Sequence, residues 1–128
     1  MTAHLNMPSA ELAVRLLSEV AYDRRMTGVS MHCLHGPTEV DLYSFETAGR
    51  FLYMDSLEAL GDPTSGASMG YIDPRALKCW LTDTLGDPEL AQAVDEATRD
   101  LGNYMAMLSP MRELMARRLE QCRSVVAG

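Results

Sequence analysis

The chain has 128 residues, 47% of them hydrophobic, and a net charge of −7, so it can bury a core without staples and is too apolar to stay disordered. Ten of its eleven cations are arginine, Lys78 being the exception, and the acidic balance excludes a nucleic-acid or anionic-membrane surface, which needs clustered Lys and Arg. Three scattered cysteines, no leader pattern and no run of roughly 18 apolar residues predict reduced thiols, no membrane span and a cytoplasmic protein.

Charge is uneven along the chain. Residues 37–62 and 83–100 each carry −5, whereas residues 112–123 carry +2. An acidic middle with a mildly basic end could orient a partner or a second copy, but a solvated face is the simpler reading.

Ser9 reads as the N-cap of a first helix over residues 10–25, with Leu12, Leu16, Leu17, Val20 and Ala21 on its buried stripe. Thr27-Gly28 should end it. Residues 28–37 then form a loop that closes with Gly36-Pro37. Thr38 with Asp41 resembles an acidic capping box, from which a helix can run to Leu60. One face would carry Val40, Tyr43, Thr47, Phe51 and Met54, and a neighbouring face Leu42, Phe45, Leu52 and Ala59, which places this helix centrally. The rival is a hairpin pairing 29–34 with 39–45, disfavoured by its poor alternation.

Residues 61–73, GDPTSGASMGYID, form the long loop. Helix punctuation follows. Asp73 caps, Pro74 takes the first helical position and Gly86 closes; Asp87-Pro88 opens the next helix in the same way. Leu77, Trp80, Leu81 and Leu85 line the first of these two helices. Leu90, Val94, Ala97, Leu101, Met105 and Leu108 line the second. Ser109-Pro110 kinks or restarts it, and Met115, Leu119 and Cys122 continue the stripe. The expectation is an all-α fold: one domain over residues 1–128, a compact bundle of about five helices with loop 61–73 as its long connection.

The chemistry-bearing stretch is S-M-H-C-L-H-G-P-T, residues 30–38. His32, Cys33 and His35 could offer two ligands from one face to zinc or iron. The remaining ligands would have to be His4, Cys79, Cys122 or a carboxylate, and none stands at a diagnostic spacing, so no cofactor is expected. A Cys33 thiolate activated by His32 or His35 lacks a residue to orient the base. Gly61, Gly66 and Gly70 make no phosphate loop, because no Gly-Lys-Ser/Thr and no preceding strand accompany them. The 74–101 corner is no DNA reader, since Glu89, Asp95, Glu96 and Asp100 would face phosphates. Nor is there the Glu-x-x-His pair that di-iron bundles use.

Methionine is the most informative residue type, ten in all, with four in Y-M-A-M-L-S-P-M-R-E-L-M. It is adaptable and overused at surfaces that accept partners. Tyr104, Met107, Met111 and Leu114 form a second stripe beside Met105, Leu108, Met115 and Leu119, and one small domain covers two stripes with difficulty. The sequence therefore points to a non-catalytic binding or regulatory subunit that binds a protein partner or itself, as a homodimer. Its expected interface comprises Met105, Leu108, Met111, Arg112, Met115 and Leu119, with Arg112 laying its stem on the seam and reaching a carboxylate such as Glu113 or Glu120 of a neighbouring helix. The alternative is a small metal-, cofactor- or thiol-dependent enzyme or sensor centred on His32, Cys33 and His35.

Overall fold

The structure, a computed structural model, describes residues 5–32, 36–53 and 66–128. Its elements run α1 (Ala10–Leu16), β1 (Met26–His32), β2 (Gly36–Leu42), α2 (Phe45–Phe51), β3 (Ser68–Tyr71), α3 (Pro74–Cys79), α4 (Pro88–Thr98) and α5 (Tyr104–Ala127). Among the described residues the strands form one antiparallel sheet in the order β2-β1-β3.

That sheet overturns the all-α bundle. The chain is mixed: helices pack with a three-stranded sheet. The hairpin pairs Met26 with Leu42 through His32 with Gly36, so the strand takes the stretch expected to begin a long helix. Thr38 and Asp41 mimic a capping box, yet the cap that operates is Ser44, whose Oγ accepts from the Thr47 amide at 3.1 Å. The helix is therefore Phe45–Phe51, and Thr38 to Leu42 are strand. The reason is non-local. β1 is held from its other edge by β3, with Met31 opposite Met69, and no short window of sequence contains that pairing. Residues 54–60 of the expected helix and 61–65 of the expected loop lie outside the described residues.

Both sheet edges are guarded. β2 carries Pro37, Glu39 and Asp41, a missing donor and two charges that discourage strand addition. On β3 the Gly70 amide donates to the Tyr53 carbonyl at 2.9 Å. The Tyr104 hydroxyl donates to the Gly70 carbonyl at 3.0 Å and accepts from the Ile72 amide at 3.1 Å. The chain crosses so closely here that a Cβ on Gly70 would lie 1.8 Å from the Phe51 carbonyl oxygen.

Local capping forms α3 and α4 as expected. Asp73 accepts from the Arg75 amide and Asp87 from the Leu90 amide, with Pro74 and Pro88 leading each helix. α3 widens into a π-helical turn over Trp80–Thr84, in which the Leu85 amide reaches back to the Trp80 carbonyl. Trp80 Nε1 then donates to the Arg24 carbonyl at 2.7 Å, and Gly86 adopts the left-handed φ of 70° that closes the turn. α1 is shorter than expected and ends at Leu16. α4 also stops early, at Thr98, and Asn103 caps a fresh helix by accepting from the Ala106 amide. α5 runs straight through Pro110. The carbonyl that Pro110 cannot satisfy belongs to exposed Ala106, where water can bond it.

The core gathers Leu16, Leu42, Phe45, Leu52, Ile72, Leu77, Leu81, Leu90, Met111 and Met115, each almost fully buried. A surface ion cluster joins α3 to α4: Arg99 and Lys78 reach the Asp95 carboxylate at 2.5 and 2.9 Å. Those hydrogen bonds, Arg99 first, hold the Asp95 carboxyl down to about 2. A folded value below the unfolded one stabilises above the ordinary aspartate range, and the contribution is lost as pH falls toward 2. Carbon-detected NMR titration should therefore place the Asp95 midpoint near 2. An Arg99→Ala, Lys78→Ala variant should return it to about 3.9.

Candidate functional site

The described surface has a groove of about 380 Å³ between α2 and α5. The hairpin builds its near wall. β2 delivers the chain to the Ser44 cap, and the Val20 amide donating to the Tyr43 carbonyl at 2.6 Å pins that junction against the segment after α1. Phe45, Gly49, Met115 and Leu119 form an apolar floor. Glu46 and Arg50 from α2, and Ser109, Arg112, Glu113 and Ala116 from α5, form the rim. A Cβ on Gly49 would meet Met115 at an ordinary 3.8 Å, so this helical glycine is not required by crowding. It widens the groove at a cost of roughly 0.5–1 kcal/mol in helix stability relative to alanine.

Charge on the rim is partly committed. Arg123 donates to Glu46. Arg50 and Arg112 have no hydrogen-bond or ion-pair partner among the described residues. An apolar floor beneath two available guanidiniums suits an amphipathic partner that carries carboxylates.

The expected interface residues divide. Leu108, Met111 and Met115 are buried inside their own subunit. Met105 stays 40% exposed at the start of α5. Arg112 and Leu119 stand on the groove, with Met115 beneath them. The second stripe is covered as well: Leu114 is buried, and Tyr104 and Met107 pack on the core. One subunit thus accommodates both stripes apart from Met105, because α1, α2 and α4 all pack against α5.

Of the expected metal ligands, His32 ends β1, half-buried, while Cys33 and His35 lie outside the described residues. Among the described residues no three His, Cys, Asp or Glu side chains converge as a metal site. Cys79 is exposed and Cys122 buried, both free thiols. Burial pushes the Cys122 thiol up, away from reactive thiolate.

Sequence reasoning missed a buried ion cluster behind the groove. Arg118 is 1% exposed. Its Nε donates to Asp87 Oδ2 at 2.9 Å, and its Nη2 to Glu89 Oε1 at 2.6 Å and Asp87 Oδ1 at 3.3 Å. Its Nη1 donates to the Asn6 carbonyl at 2.7 Å and to Gln121 Oε1 at 2.8 Å. All five N–H donors are thereby used. Gln121 Nε2 completes the cluster by donating to the Leu5 carbonyl at 2.9 Å. Burial pushes the Glu89 carboxyl up, but hydrogen bonds from Arg118 and Asn6 outweigh it and hold it below the usual range. The signal was present: Met111, Met115, Arg118 and Cys122 fall at helical spacing, an arginine within an apolar stripe.

No family model, curated protein or solved structure matches this chain. Among the described residues no helix is long and apolar enough to cross a membrane.

Proposed function

We propose that the protein is a non-catalytic binding or regulatory subunit of the cytosol that docks a partner chain in the groove between α2 and α5. The observation that carries this reading is the groove itself: an apolar floor with two uncommitted arginines on its rim. The groove takes in three of the six residues the sequence marks as an interface, Arg112, Met115 and Leu119.

The reading is tested by placing a photo-cross-linking amino acid at position 113, on the rim, in the expressed protein. Irradiation should give one discrete product, absent when the same probe replaces exposed Thr82 outside the groove. Gly49→Leu should abolish the product without lowering the melting temperature, because position 49 is helical and its side chain would occupy the groove. No product, or a product indifferent to Gly49→Leu, would overturn the reading.

A further inference from the structure

Resting on the docking role of that groove, we propose that its occupant is a second copy of this chain, with the two α5 helices antiparallel about a two-fold axis at Ala116. The exposed face of α5 is laid out symmetrically around this residue. Glu113 and Leu119 stand three positions either side of Ala116, Arg112 and Glu120 four positions, and Ser109 and Arg123 seven. These spacings return to one helix face. All seven residues are exposed or half-buried.

An isologous contact requires a surface complementary to itself. Antiparallel pairing about Ala116 sets each residue before the axis opposite its counterpart after it. Arg112 of one copy therefore meets Glu120 of the other, and the pair occurs twice. Arg112 and Glu120 have no hydrogen-bond or ion-pair partner among the described residues of their own subunit, so neither exchanges an internal bond for the new one. A parallel pairing would instead set Arg112 on Arg112 and Glu120 on Glu120, which repels.

The remaining positions contribute less: Glu113 faces Leu119, which gives its carboxylate no partner, and Ser109 faces Arg123, which is held by Glu46 in its own subunit. Ala116 is exposed and small, which lets two helix axes approach to the roughly 8–10 Å of packed helices. Gly49 leaves the space beside it open, so each α5 can rest against the other copy's α2.

Two measurements test the pairing. In a chain with Cys33 and Cys79 changed to serine, Ala116→Cys lies on the axis and should oxidise to a disulfide-linked dimer. Thr82→Cys in the same background should not. By sedimentation, Arg112→Glu and Glu120→Arg should each weaken self-association about tenfold, and the double variant should recover most of it. Failure of the double variant to recover, or equal cross-linking at position 82, would overturn the antiparallel register. A wild-type chain that stays monomeric at about 100 micromolar, far above a specific dimer's dissociation constant, would overturn the second copy as occupant. In that last case a position-113 product of another mass still supports the docking groove, whereas no product removes both.

Discussion

Replacing Arg118 by methionine should destabilise the fold by about 3–5 kcal/mol, the cost of breaking a buried ion pair from one side. Methionine fills much of the same volume, so the loss isolates the charge and its bonds. Asp87, itself 1% exposed, would be left without its cationic partner. The Asn6 carbonyl and Gln121 Oε1 would each lose a donor. A domain of this size has only about 5–15 kcal/mol to lose, so the variant should sit near its unfolding threshold at room temperature. Urea denaturation followed by circular dichroism reads this directly. Arg118→Met with Asp87→Leu should be more stable than Arg118→Met alone, despite losing the α4 cap, because no charge remains buried unpaired. A single-variant loss below about 1 kcal/mol, the range of an exposed ion pair, would show that the cluster is solvated in solution.

Gly70→Ala should be nearly as damaging, at about 3 kcal/mol, the upper end for overpacking. The added methyl would lie 1.8 Å from a backbone oxygen, and a backbone atom cannot swing away as a side chain does. Either β3 shifts off β1, where Gly70 pairs with Ser30, or the Phe51–Tyr53 segment lifts and the bond from the Gly70 amide to the Tyr53 carbonyl breaks. Gly49→Ala is the control of opposite sign. Its new Cβ meets Met115 at 3.8 Å, and alanine should raise stability by about 0.5–1 kcal/mol. Denaturant midpoints of the two variants should therefore move in opposite directions. Equal midpoints would mean that the close crossing at Gly70 does not persist in solution.

The parts of the fold that the sequence made legible are those fixed within four residues. Ser9, Asp73-Pro74, Gly86 and Asp87-Pro88 all do what their side chains or φ angles require. The parts it concealed depend on distant partners. β1, M-T-G-V-S-M-H, shows no clean alternation, because Gly28 lies under the Phe51 ring, Val29, Ser30 and His32 are only half-buried and Met31 is exposed. Its strand character comes from pairing on both edges, with Val29 flanked by Glu39 and Tyr71. Ser109-Pro110 suggests a kink or a fresh start, but the helix starts at Tyr104 and continues through Pro110, leaving the orphaned carbonyl at an exposed turn. The groove was half legible. Seam spacing marks Arg112, Met115 and Leu119, but Phe45, Glu46, Gly49 and Arg50 arrive from a helix that starts at Phe45 rather than after Thr38.

The Arg118 cluster also sets the order of events when the chain folds. Its bonds to the Asn6 and Leu5 carbonyls join positions 112 and 116 residues apart. Closing so long a loop is entropically expensive before other contacts have drawn the ends together. Helix caps and the β1–β2 hairpin, each local, can form first. The bonds from Arg118 and Gln121 to those two carbonyls should then form after the transition state. Arg118→Met should leave the refolding rate nearly unchanged and accelerate unfolding about 10²–10⁴-fold for a loss of about 3–5 kcal/mol. The cluster governs how long a folded molecule stays folded, rather than how fast it forms.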